Sequence, residues 1–179
     1  DLKSIYHNAS SSYHYPSSEG AYSSWWWAAM RAVGDEVPGL GACSVRWLSK
    51  HLVKFGTPAV FGYLFAHPTQ SSRAYVQSPV PGVGPGAVTV PHASETAYVF
   101  GAAIKLTPGP EAALAKTTAT YWLNFARHGD PNVGSKVPLT WPKYTREEDA
   151  TLRLDVADGG GGIEVQRGFR KEACDYMEA

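Results

Sequence analysis

Histidine is the side chain best suited to exchanging protons near neutral pH. One of the six in this 179-residue sequence stands where that chemistry would be useful. In Ala87-Val-Thr-Val-Pro-His92-Ala-Ser94-Glu95, a short β-branched piece runs into Pro91, and Ser94 stands where a helix N-cap would. His92 is therefore expected on a loop just before a helix, and α/β sheets gather ligands and catalytic groups where strands give way to helices. The local pattern leaves two readings open: an acid–base catalyst, or a solvated loop imidazole. Cys43 and Cys174 are the other reactive pair of types. With no CxxC and no histidine at ligand spacing, zinc and thioredoxin-like redox readings both fail, so no metal is expected. A disulfide closing so long a loop would constrain the unfolded chain by about 4–5 kcal/mol in the entropy model; two unrelated buried thiols are the other reading. Asn8-Ala9-Ser10 is an N-glycosylation acceptor in a Ser-rich stretch expected to be a surface loop, and it suits an oxidising, extracellular setting.

The elements that must position these residues follow from periodicity and punctuation. A helix is expected over 21–33, stopped near Gly34; two readings of its face stand open, interior packing alone, or Trp25, Met30 and Val33 toward a core with Trp26 or Trp27 toward a neighbour or pocket. A second covers 43–55, with Val45, Leu48, Leu52, Val53 and Phe55 near the helical period and Gly56 ending it. The continuous apolar run 58–67 reads as a strand buried on both faces, the kind found in sheets covered by helices. Residues 79–86, rich in Pro and Gly, should be a loop. The clearest helix spans 110–128: Pro110 suits its first turn, Leu114, Thr118, Tyr121, Trp122 and Phe125 form its stripe, and Gly129 with Pro131 stops it. Residues 151–155 alternate like a strand, 159–162 form a turn, and 167–179 should be helical with Phe169, Ala173, Cys174 and Met177 on adjacent turns. Helix, turn and buried strand in this order are the grammar of an α/β fold.

Composition narrows the function classes. The 16 basic side chains cancel the 16 acidic ones, and with no basic run there is nothing to gather on a phosphate backbone or an anionic membrane surface. No nucleic-acid partner is expected. No apolar run approaches the roughly 20 residues of a spanning helix, which predicts a soluble chain with no membrane span. At 44% hydrophobic residues the chain can bury one core, and 18 glycines with 13 prolines argue for many loops. The opening Asp-Leu-Lys-Ser has no charged n-region leading into an apolar h-region, so residue 1 is not expected to be a natural start.

Several segments in order resemble the type-B carboxylesterases, the cholinesterase and lipase branch of the α/β-hydrolase fold. They are Gly34-Asp35 ahead of Cys43, Tyr63-Leu-Phe-Ala-His67, Pro-His92-Ala-Ser-Glu95-Thr-Ala-Tyr-Val-Phe-Gly101, Tyr121-Trp-Leu-Asn-Phe-Ala126, Gly129-Asp-Pro-Asn132 and Trp141-Pro142. The resemblance implies that residues 1–179 are the C-terminal part of a single α/β-hydrolase domain. Its fold would be a mostly parallel sheet flanked by helices, incomplete without an N-terminal segment. His92 then matches the catalytic histidine, Glu95 the acidic residue that helps fix the site's hydrogen bonding, and Asp35 a structural aspartate. Cys43 and Cys174 match a disulfide.

What this implies for function is a carboxylic ester hydrolase of the serine type acting on a small ester, with no cofactor, secreted or lumenal, and compatible with a homodimer. Such chemistry needs a serine on a Gly-x-Ser-x-Gly elbow, an acid and a histidine, in that chain order. The elbow is absent from these residues, and the acids before His92 (Asp1, Glu19, Asp35 and Glu36) do not fit the family's catalytic position. The serine, the acid and the oxyanion hole are expected in an N-terminal segment or companion chain. The competing class is a catalytically silent cholinesterase-like protein used for structure, adhesion or storage. A third reading, a binding module built around Trp25, Trp26 and Trp27, leaves the ordered motifs unexplained.

Overall fold

The computed structural model describes residues 2–6, 24–68, 90, 92–101, 109–157 and 162–178. The Asn8 sequon, the 79–86 loop and most of the 159–162 turn lie outside the described residues, as do the residues 87–89 leading toward His92. In chain order the elements are α1 (Leu2–Tyr6), α2 (Ser24–Glu36), α3 (Ala42–Lys54), β1 (Gly62–Phe65), α4 (Thr96–Phe100), α5 (Pro110–His128), β2 (Ala150–Leu154), β3 (Glu164–Arg167) and α6 (Lys171–Met177). Among the described residues the sheet is small and mixed, ordered β1-β2-β3. β1 runs parallel to β2 with Tyr63 opposite Leu152, and β2 runs antiparallel to β3 with Leu152 opposite Val165.

Strand β2 is the axis of the fold, because Ala150, Leu152 and Leu154 on one side of it are wholly buried. Leu152 and Leu154 pack with Phe65 of β1, Tyr98 of α4, Leu114, Ala115 and Tyr121 of α5, and Trp141. Helix α5 has the bounds expected for it: Pro110 needs no backbone donor in the first turn, and Gly129 closes the last at φ 68°, its N–H reaching the Phe125 carbonyl at 2.8 Å. The Gly129-Asp-Pro-Asn132 motif beyond it is a latch. Asn124 donates to the carbonyls of Pro131 (3.0 Å) and Ser135 (2.8 Å), and Asn132 exchanges bonds with the Trp141 backbone at 2.9 and 2.7 Å. Trp141, held there, donates from its indole to the Gly62 carbonyl at 2.9 Å and so ties the loop after α5 to β1.

Four features of the fold differ from the expectations or add to them. Helix α2 does not stop near Gly34 but runs to Glu36, because Asp35 in its last turn is buried and accepts the Tyr6 hydroxyl at 2.9 Å. Trp25, Met30 and Val33 are exposed, whereas Ala28 is buried and with Ala32 packs against Ile5, Tyr6 and Ala173. Helix α3 has the expected bounds within one residue, but it turns a polar face inward: Val45, Leu48 and Leu52, with Phe55 just past its end at 77%, are exposed, while Cys43, Arg46 and Ser49 are buried. Third, only Gly62–Phe65 of the 58–67 run is strand, and Tyr63 remains partly exposed, so this strand is not covered on both faces. Fourth, the C-terminal helix begins at Lys171, behind the unanticipated strand β3.

What draws the polar face of α3 inward is charge. The Arg46 guanidinium donates to Asp149 at 2.7 Å and Asp175 at 2.6 Å, and Tyr144 donates to the other oxygen of Asp149 at 2.8 Å. A buried cation shared by two carboxylates is retained because removing any partner leaves an uncompensated charge. Beside it, Cys43 and Cys174 form a disulfide with their Cα atoms 4.9 Å apart, joining α3 to α6.

Two measurements follow. Cys43→Ser with Cys174→Ser should lower unfolding stability by about 3–5 kcal/mol, read from urea midpoints with and without reductant; a midpoint indifferent to reductant would contradict the bond. Asp175 is pulled down to about 2, chiefly by the Lys171 hydrogen bond and then by Arg46, with burial opposing. Its contribution is thus present above pH 4 and lost as pH falls toward 2. Acid unfolding of Asp175→Asn should be flatter than wild type across that window, and equal slopes would contradict the pairing.

Candidate functional site

The turn 92–95 and helix α4 carry the residues of interest. Ala93 adopts φ 65°, a left-handed conformation that costs an L-residue about 1 kcal/mol, and its carbonyl accepts from Thr96 at 3.1 Å. The Glu95 carbonyl then accepts from Tyr98 (2.8 Å) and Val99 (2.9 Å), starting a five-residue helix that Gly101 ends at φ 62°. The helix N-cap is Glu95 rather than Ser94, and no side chain caps it.

His92 is exposed at the head of this turn. A short helix cannot hold its own position in water, so the placement of His92 depends on what grips α4. Two side chains do. Tyr98 is wholly buried, its ring 4.9 Å from Phe65 and 6.0 Å from the His67 imidazole. Glu95 accepts the Tyr63 hydroxyl at 3.3 Å. Tyr63 and Phe65 are on β1, with His67 just beyond it, so the Tyr98 grip lies at the strand's C-terminal end, the end at which α/β sheets build their sites; α4 packs on α5 as well. Tyr63 is itself wedged edge-on against Trp122 at 5.0 Å and Trp141 at 6.1 Å. Its phenol is pushed up to about 12, first by burial and then by the charge and hydrogen bond of Glu95.

A second cluster at the same end of the sheet went unanticipated. His67 is buried just beyond β1, with Nδ1 at 3.1 Å from Asp155 Oδ1 and Nε2 at 2.9 Å from Glu111 Oε1. Asp155 also accepts from Arg153 at 2.6 Å and from the Val156 N–H at 2.7 Å. The only signal in the chain was a histidine ending an apolar run.

The expected site residues therefore fall into two places. His92 and Glu95 share one turn, while Cys43 and Cys174 meet on α3 and α6 as the disulfide. Asn8 lies outside the described residues. Among the described residues no three His, Cys, Asp or Glu side chains gather as a metal would require, and no helix is long and apolar enough to cross a membrane. What the His92 turn can do chemically is accept and return a proton at an exposed imidazole.

Comparison with known proteins adds the following. The model of the carboxylesterase family matches residues 3–177. Human (Homo sapiens) bile salt-activated lipase is 31% identical over 133 residues, covering 72% of this chain and 16% of the lipase. Carboxylesterase 5A of Felis catus is 38% identical over 110 residues, covering 57% of this chain and 18% of that protein. A medium-chain fatty acyl-CoA hydrolase precursor of Anas platyrhynchos is 36% identical over 111 residues, covering 61% and 18%. The chain thus spans less than a fifth of the length of these relatives.

Carbon-13 labelling of tyrosine ring carbons should show Tyr63 titrating near pH 12, and Glu95→Gln should lower that midpoint toward 10 without reaching it, since burial is the larger cause. A midpoint unmoved by the substitution would mean that Glu95 does not face the phenol.

Proposed function

Starting from the fact that this chain belongs to the carboxylesterase family, we propose that it is the C-terminal part of one α/β-hydrolase domain and supplies the histidine of a serine ester hydrolase. The carrying observation is the position of His92. It stands exposed on a turn anchored, through Tyr98, to the C-terminal end of a strand in a parallel pair. The relatives' names, a lipase, a carboxylesterase and an acyl-CoA hydrolase, share attack on an acyl carbonyl, and that supports the reaction class.

In this reading the nucleophilic serine, the acid and the oxyanion hole lie in an N-terminal segment or companion chain. As the serine oxygen bonds to the ester carbonyl carbon, the His92 imidazole takes the serine proton. The oxyanion hole stabilises the tetrahedral intermediate, and the imidazolium returns the proton to the leaving alcohol as the carbon–oxygen bond breaks. Water then repeats the cycle on the acyl-enzyme. Glu95, bonded to Tyr63, holds the turn that presents the ring. The exposed apolar side chains of α3 support a partner segment of the same domain. The disulfide supports a secreted or lumenal setting, in which the Asn8 sequon would be glycosylated.

The test joins the chain to its natural upstream coding sequence. A fluorophosphonate should label one serine upstream of residue 1, a small aryl ester should be hydrolysed, and His92→Asn should lower kcat by about a thousandfold or more. No labelled serine would favour the catalytically silent, structural or adhesive protein instead. Labelling and turnover that survive His92→Asn would remove the role given to this histidine.

A further inference from the structure

The buried imidazole of His67 has more partners than a core histidine needs. Each ring nitrogen faces a carboxylate oxygen, Asp155 at 3.1 Å and Glu111 at 2.9 Å, from two elements far apart in sequence. Only a ring carrying both protons donates to both. Asp155 has no spare capacity to swing away, being held also by Arg153 and the Val156 N–H. The ring is thus pinned in position and in plane by the end of β2 and the first turn of α5.

Its free edge faces α4. Tyr98 packs against His67 edge-on, with the ring planes at 75°. The Tyr98 hydroxyl makes no hydrogen bond among the described residues, so ring packing against Phe65 and His67 fixes this residue, not a polar bond. Tyr98 is the wholly buried residue of a five-residue helix, and three residues before that helix begins the chain takes the strained Ala93 turn. Displacement of Tyr98 would loosen α4 at its wholly buried residue, and with it the turn that carries position 92.

We propose that His67, clamped between Asp155 and Glu111, is a positioning residue for His92, acting through the Tyr98 ring and helix α4. The proposal rests on the role given to His92 above, but the seat it describes exists whether or not the chain hydrolyses esters. Neutral glutamine at position 67 can donate to one carboxylate while setting its carbonyl against the other, so His67→Gln should release the clamp while keeping the site filled.

Hydrogen exchange on the chain joined to its natural upstream sequence reads the seat directly. In His67→Gln the amides of residues 98–101 should exchange about tenfold faster while those of α3 stay within about twofold of wild type. Unchanged rates at α4, or an equal rise in α3, would overturn the proposal. Should His67→Gln fail to fold, Glu111→Ala, which removes one acceptor of the clamp, decides by the same two readings. In the chain joined to its upstream sequence, kcat per fluorophosphonate-titrated serine should fall about 10- to 100-fold with KM within about threefold. A fall in titratable serine alone, with kcat per site unchanged, would mean a merely structural residue and overturn it. If wild type itself shows no turnover, the ester-hydrolase reading fails, while the exchange rates still decide for or against the clamp.

Discussion

Strand β2 can be buried only because both of its ends are neutralised. Asp149 precedes it and Asp155 follows it, each almost without access to water, and an ionised carboxylate left alone at such depth would cost several kcal/mol. The fold answers with basic side chains at each end: the Arg46 guanidinium at Asp149, and Arg153 with the His67 imidazole at Asp155. These two pairings dictate much of what surrounds the strand. Arg46 turns the polar face of α3 inward and, through Asp175, draws in the C-terminal helix beside the disulfide. His67 joins β1 to the start of α5 and gives Tyr98 a surface to lean on.

The two ends differ in what they leave open. Around Asp149 the network is closed by Tyr144 and locks a frame of helices. At the Asp155 end the chain leaves β1 at His67, and the next described element of this region is the turn that exposes His92. Rigidity below and exposure above is the arrangement a proton-transferring group requires, since it must be held in place yet reachable. The aromatic seam of Tyr63, Trp122 and Trp141 adds stiffness from the side and fixes Glu95 through one phenol.

How much of this the residues announce in advance depends on the range over which each interaction acts. Helix α5 was legible at both ends because Pro110 and Gly129 act locally, and β2 was legible within one residue from its alternation. The cysteine pair stayed ambiguous until its resemblance to a known framework was weighed. Orientation was not legible for α2 or α3. Periodicity finds an apolar face, but Arg46 is buried by aspartates 103 and 129 positions away, and no local pattern encodes that. Strand β3, Glu-Val-Gln-Arg, has little apolar alternation and exists because β2 offers it an edge. The His67 clamp escaped for the same reason as Arg46: its partners stand 44 and 88 residues along the chain.

The sulfur–sulfur bond has one more consequence, topological rather than energetic. It encloses nearly everything from α3 to α6, with the His92 turn inside the ring. A protease that severed any single peptide bond within that ring would therefore open it without releasing either half. The nicked molecule would keep its mass apart from one added water, travel as one species, and come apart only on meeting a reductant.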